Sequence, residues 1–168
     1  MSWINEYANQ ITAWDKVHRL VGKSKPQRLI EESLEALNSL DPEVLSGPKL
    51  MLDVGAGSGI LGIPAMQLFH VLHVLFVEPD PKKAAFIRNY VSNVQPKLQK
   101  RCWIATQRLE DVSRETVEKC GDLEPVLLAR AFSGDVALEE AAQNSIFAGR
   151  HLFAFRSEGA RHFFEKLC

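Results

Sequence analysis

Cysteine is scarce. There are three in 168 residues, Cys102, Cys120 and Cys168, an odd number and widely spaced. Without a CxxC pair or a Cys/His cluster, neither a disulfide scaffold nor a metal site is expected, and a reducing, cytoplasmic setting is the simplest one. Long hydrophobic runs are missing too. No window approaches the roughly 18 uncharged apolar residues of a membrane-crossing helix, so no membrane partner is expected. The opening MSWINEYANQ has neither a basic stretch nor an apolar one, which argues against a secretory signal. Nor does charge of one sign dominate: 20 Lys/Arg face 21 Asp/Glu, a net charge of −1, which by itself disfavours a strongly basic nucleic-acid binder. Internal repeats and low-complexity segments are absent.

What remains is an ordinary globular composition, 46% hydrophobic and 24% charged, at the length of one domain. The charge is segregated, however. Lys16 to Arg28 holds five Lys/Arg and no acid, and Lys82 to Arg108 holds seven and no acid. Acids gather at Glu31, Glu32, Glu35, Asp41 and Glu43, and again from Glu110 to Glu124. Such blocks can create a basic face on a neutral protein, or can simply be solvated helix surfaces.

Along the chain, helical and strand patterns alternate. Trp3, Ile4, Tyr7, Ile11, Trp14, Val17 and Leu20 recur every three or four residues, a helical stripe. Ser24, Pro26 and Gln27 predict a capping box opening a second helix, whose apolar face is Leu29, Ile30, Leu34, Leu37 and Leu40. Strands are predicted over 50–54, 73–77, 102–105, 125–129 and 151–155. Helices are predicted from Pro64 to about His70, from Asp80-Pro81 onward, over 135–147 and over 158–167. The expectation is a single domain, 1–168, with a helical N-terminal extension (1–46) and an α/β core (47–168). Its mostly parallel sheet would be covered by helices on both faces. Ligands of such sheets bind beyond the carboxyl ends of the strands, which directs attention to the glycine loop after the first one.

That loop reads Asp53-Val54-Gly55-Ala56-Gly57-Ser58-Gly59. A dinucleotide fingerprint starting at Gly55 would need a small residue where Ile60 stands. The acid-x-Gly-x-Gly-x-Gly spacing is instead similar to the first motif of S-adenosylmethionine (SAM) methyltransferases, whose glycines let backbone approach the cofactor. Glu78, closing the second strand, can accept both ribose hydroxyls. The fourth strand leads into Leu128-Ala129-Arg130-Ala131-Phe132-Ser133. It contains neither the Asn/Asp-Pro-Pro-aromatic stretch of adenine amino methyltransferases nor a Pro-Cys nucleophile.

Four stretches resemble the RsmG (GidB) family of ribosomal small-subunit RNA guanine-N7 methyltransferases. They are Gly55 to Pro64, Trp14-Asp15-Lys16, Phe86-Ile87-Arg88 and Arg130-Ala131-Phe132. The resemblance, running from about Trp14 to about Glu158, implies a Rossmann-like SAM-dependent fold, SAM as cofactor, and 16S ribosomal RNA or a small-subunit precursor as partner. Combined with the loop pattern it implies cofactor contacts at Asp53, Gly55, Ala56, Gly57, Gly59, Ile60, Glu78, Leu109, Glu110 and Arg130. Where the family carries an Arg-His pair followed by Asp-Ser, this chain has Glu31, Glu32, Glu35 and Ala36, acids that would repel a phosphate if they faced RNA.

A guanine N7 already offers a lone pair, so no catalytic acid or base is assigned. Arg130 and Arg156 are the candidates for orienting the base. Lys16, Arg19, Lys23, Lys25, Lys82, Lys83 and Arg88 are the candidates for phosphate contacts. Two other readings stand beside this one: a SAM-fold interaction protein without rRNA methylation activity, and a small-molecule methyltransferase. The family's last strands find no counterpart after strand five. A five-stranded parallel sheet is therefore expected, with His151–Phe155 as an edge uncovered or used in self-association.

Overall fold

Leu50-Met51-Leu52-Asp53-Val54 is apolar almost without alternation because both of its faces are covered. In the computed structural model, which describes residues 2–21, 24–130 and 134–168, these residues lie in β1 (Lys49–Val54). β2 (His73–Val77) and β4 (Glu124–Ala129) run parallel on either side of it. β3 (Cys102–Ala105) adds beyond β2, and β5 (Leu152–Glu158) beyond β4. With β6 (Arg161–Lys166) the order is β3-β2-β1-β4-β5-β6. The chain reverses its direction of winding between β1 and β4, and the resulting switch point lies at the carboxyl end of β1.

Side chains alternate between two cores, as the two-residue strand period requires. Met51, Val74, Phe76 and Leu128 point to one face, where α1 (Trp3–His18), α2 (Pro26–Ser39), α3 (Gly62–Leu68) and α4 (Pro81–Asn89) pack. Leu50, Leu52, Leu75, Val77 and Leu127 point to the other, beneath α5 (Arg114–Glu118) and α6 (Asp135–Gln143). The N-terminal helices share the first core: Tyr7, Ile11, Ile30 and Leu37 are fully buried in it. Tyr7 packs on Tyr90, Trp14 on Phe86, and Gln95 donates to Glu6. These contacts run in opposite senses along the two helices, so the C-terminal end of α1 comes to the N-terminal end of α4.

Local signals explain most boundaries. The Asp80 side chain accepts from the Lys82 amide ahead of Pro81, capping α4 as expected. Pro26 opens α2, but Ser24 does not cap it. Lys25 is the N-cap residue and makes no side-chain cap bond. α6 ends at Gln143 rather than Phe147.

The C-terminal segment overturns an expectation. Residues 158–167 form no helix. The chain turns at Gly159, whose φ of +60° a side chain disfavours, and β6 returns antiparallel to β5 with Phe164 opposite Phe155. Aromatic Phe163 and Phe164 suit a strand, and pairing satisfies the open edge of β5. The sheet is thus six-stranded, and the bare fifth-strand edge expected to drive self-association does not exist. The new edge strand carries Arg161, Glu165 and Lys166, charges that discourage further pairing.

Candidate functional site

The switch point opens into two cavities that share a wall. After Val54 the chain crosses to β2, with the Gly55 and Ala56 amides donating to the Val77 carbonyl at 2.9 and 3.1 Å. Gly55 and Gly57 adopt φ of +69° and +60°, left-handed values that glycine supplies without steric cost. On one side lies a cavity of about 310 Å³ walled by Asp53, the loop from Gly55 to Ser58, Ile60 and Leu61, with Leu20 and Val21 from the connection after α1, Leu29 from α2 and Arg130 from the end of β4. On the other lies one of about 610 Å³ reaching past Pro79, Arg108, Leu109 and Glu110 to Ala137, Glu140 and Asn144 around α6. Gly55, Glu78 and Lys83 border both.

Glu78 is the hinge of this arrangement. It is 5% exposed, and its two carboxylate oxygens accept from the Gly57 amide at 2.6 Å and the Asp80 amide at 2.8 Å. The carboxylate therefore stands fixed between the cavities. Asp53 is more deeply buried and, among the described residues, accepts only from the Gly62 amide, at 2.8 Å. Burial pushes its carboxyl up to about 7. The Gly62 hydrogen bond opposes that rise, and the nearby Glu78 charge adds to it. Gly62 has to be glycine: a Cβ there would stand 2.2 Å from Phe76 Cε1 and 2.9 Å from Asp53 Oδ2.

Most of the predicted cofactor residues converge here. Asp53, Gly55, Ala56, Gly57, Ile60, Glu78 and Arg130 wall the first cavity, and Leu109 and Glu110 the second. Gly59 stands apart from the others. It borders neither cavity, and a Cβ on it would meet Ile63 at 3.1 Å and the Tyr7 hydroxyl at 3.2 Å. Its φ of +80° and bare Cα serve packing of α1 against the loop, an attachment completed by the Tyr7 hydroxyl donating to the Ser58 carbonyl at 2.6 Å. Arg156 stands apart as well. It borders neither cavity and is held by Asp135 at 2.8 Å and Glu165 at 2.6 Å.

Of the candidates for phosphate contact, Lys83 sits between the cavities rather than out on the surface. Lys16, Arg19, Lys25, Lys82 and Arg88 are exposed on α1, α4 and the connection after α1. Lys23, like Ala131 and Phe132 of the Arg-Ala-Phe stretch, lies outside the described residues. Two of the α2 acids are engaged within the fold, while Glu31 is exposed and accepts from Gln27 at 3.0 Å. Glu32 pairs with Arg28 at 2.7 Å and Arg130 at 2.5 Å, and Glu35 accepts from the His162 amide at 3.0 Å. Sequence reasoning missed Ser58, Leu20, Val21 and Leu29 as cavity walls. Only their position beside the glycine loop, or flanking the basic connection, hinted at it.

A family model described as rRNA small subunit methyltransferase G (GidB) matches residues 1–166. Curated relatives named ribosomal RNA small subunit methyltransferase G include one from Nitrosomonas eutropha, 33% identical over 132 residues, which are 76% of this chain and 54% of that protein. Another, from Helicobacter pylori, is 32% identical over 108 residues, 64% of this chain and 58% of that protein. One from Rubrobacter xylanophilus is 26% identical over 163 residues, 96% and 60%. The chain spans only about half to three-fifths of the length of these relatives. Among solved structures, the mitomycin 7-O-methyltransferase MmcR aligns with a TM-score of 0.57 at 15% identity, covering 92% of this chain and 50% of that one. The glycopeptide N-methyltransferase MtfA complexed with SAM aligns with a TM-score of 0.55 at 12% identity, covering 82% and 65%. These two likenesses show the Rossmann-like methyltransferase fold.

Proposed function

Since the chain belongs to the GidB family of small-subunit rRNA methyltransferases, we propose that it is a SAM-dependent enzyme that methylates N7 of a guanine in 16S ribosomal RNA. The observation that carries this reading is Glu78, a nearly buried carboxylate standing between two cavities at the carboxyl ends of β1 and β2. Its two oxygens suit a ribose diol, with the cofactor's methionine part on the Gly55–Ile60 side and its adenine on the Leu109–Glu110 side.

The residues present fit that cofactor. A Cβ on Gly57 would meet only the Gly55 carbonyl, at 4.0 Å, so glycine here leaves open the space beside the loop. Leu20, Leu29, Ile60 and Leu61 supply apolar walls, and Gly55, Ala56 and Gly57 allow close approach of backbone. The bound cofactor supplies an electrophilic methyl on its sulfonium. The protein's task is to exclude water and hold N7 in line with that methyl, and positioning of this kind lowers a barrier by roughly 7–11 kcal/mol. No side chain needs to take a proton, because N7 carries a free lone pair. Arg130 is the residue at the cavity suited to orienting the base.

The RNA surface is the basic end where α1 meets α4. Lys16, Arg19 and Lys25 approach from one side and Lys82 from the other, with Lys83 at the cavity rim, while Arg88 lies in the last turn of α4, at the far end of that helix. Lys23, outside the described residues, belongs to the same basic run. Ribosomal RNA or a small-subunit precursor, and a cytoplasmic location, follow from this reading. No described helix is long and apolar enough to cross a membrane. Calorimetry with S-adenosylhomocysteine tests the cofactor, and primer extension on small-subunit RNA treated with protein and SAM tests the reaction. A protein that binds S-adenosylhomocysteine but leaves no methylated guanine would be a SAM-fold interaction protein instead.

A further inference from the structure

Arg130 has more partners than a cavity-wall residue needs. One terminal nitrogen donates to the Leu29 carbonyl at 2.8 Å and to Ser33 Oγ at 2.6 Å, and the other donates to Glu32 Oε2 at 2.5 Å. Its guanidinium lies 4.1 Å from the centre of the Phe155 ring on β5. Phe155 in turn stacks on His162 of β6, with ring centres 5.9 Å apart. His162 is itself tethered to α2: Glu35 meets its amide at 3.0 Å and its Nδ1 at 2.9 Å, and Glu32 Oε1 stands 3.6 Å from its Nε2. The side chains of Arg130, Glu32 and His162 are only 11%, 13% and 9% exposed, so water screens these contacts weakly.

We infer that Glu32 on α2, with Phe155 and His162 of the C-terminal hairpin, forms a clamp that positions Arg130 at the first cavity. The hairpin touches neither cavity, yet through this clamp it belongs to the site. The acids that break the family's basic pattern are the parts that build it. Arg130 carries five N–H donors; among the described residues two are taken by the Leu29 carbonyl and Ser33 and one by Glu32, leaving Nε–H and one terminal N–H for a ligand or base. A guanidinium held on both its edge and its face is pre-organised, and pre-organisation shows as affinity. Glu32, Phe155 and His162 are thus positioning residues, acting through Arg130.

The affinity readout rests on the methyltransferase reading, so the test carries a second, ligand-free one. Glu32→Gln and Arg130→Met are made singly and together. S-adenosylhomocysteine affinity is measured by calorimetry, melting temperature by scanning, and the Arg130 Nε–H signal by nitrogen-15 NMR. The expected result is about a fivefold to thirtyfold loss of affinity from Glu32→Gln in the wild-type background and none in the Arg130→Met background. The Nε–H signal should broaden or vanish in Glu32→Gln. Equal losses in both backgrounds would make Glu32 merely structural and overturn the clamp. So would undiminished affinity in Glu32→Gln. If the wild type binds no S-adenosylhomocysteine, the cofactor reading fails separately. The NMR signal then decides: unchanged in Glu32→Gln it overturns the clamp, broadened it supports it.

Discussion

Replacing Gly62 by alanine tests whether one close approach holds the base of the site together. The added methyl would sit 2.2 Å from Phe76 Cε1, 2.7 Å from Phe76 Cζ and 2.9 Å from Asp53 Oδ2. Phe76 is fully buried in the core beneath α3 and cannot swing into solvent. Relief must come from a shift of α3 or the ring, costing about 1–3 kcal/mol as overpacking does. Any such shift also lengthens the 2.8 Å bond from the Gly62 amide to Asp53, the one hydrogen bond that buried carboxylate accepts among the described residues. Leaving it unsatisfied adds about 1–3 kcal/mol. A total of about 2–6 kcal/mol should lower the melting temperature by about 5–20 °C for a chain of this size. Gly149→Ala is the control. Gly149 has a φ of +77° and nothing within 4 Å of a Cβ, so backbone strain alone should cost about 1–2 kcal/mol. The decisive variant is Phe76→Leu, measured by scanning calorimetry. It should destabilise the wild type yet stabilise Gly62→Ala by making room for the methyl. If Gly62→Ala melts within about 2 °C of the wild type, or Phe76→Leu lowers both backgrounds equally, the steric reasoning is wrong.

Asp53 gives a pH signature. Its carboxyl is raised to about 7 in the fold, so folding takes up a proton and the wild type loses stability as pH rises from about 4 to about 7. Asp53→Asn should flatten that slope, gaining on the order of 4 kcal/mol relative to wild type between pH 4 and pH 8. Parallel unfolding profiles for the two proteins would contradict the shift. Glu78→Ala removes the acceptor of the Gly57 and Asp80 amides and should weaken S-adenosylhomocysteine binding by about 1.5–3 kcal/mol. Gly57→Val should abolish that binding, and unchanged calorimetric affinities would show the cofactor site to be elsewhere. RNA affinity should fall steeply with salt. Alanine at Lys82, Lys83 and Arg88 should reduce the log–log slope by roughly 0.7–0.9 for each phosphate left without its cation, and a salt-independent affinity would remove the basic end of α1 and α4 as the RNA surface.

The sequence alone determined the elements whose signals are local. β2 and β3 fall where the apolar runs predict them. Asp80-Pro81 caps its helix because an Asx side chain and a proline act within one turn, whatever the rest of the chain does. The glycine loop and Glu78 were legible for the same reason, since a motif at the end of a parallel strand carries its own geometry. Tertiary structure decided what depends on distant partners. Residues 161–166 become a strand because β5 offers an open edge and Gly159 a tight turn, a pairing that outweighs any helical periodicity in Phe163, Phe164 and Leu167. Gly59 and Gly62 look like their neighbours in the loop, but Tyr7 and Phe76, distant in sequence, set what those two positions must be. Glu32 read as a charge that would repel RNA. Folding brings it against Arg130, 98 residues away, and a buried guanidinium turns a surface acid into part of the site. Side-chain pairing across such separations leaves no period or spacing in the sequence, so only the packed chain could reveal it.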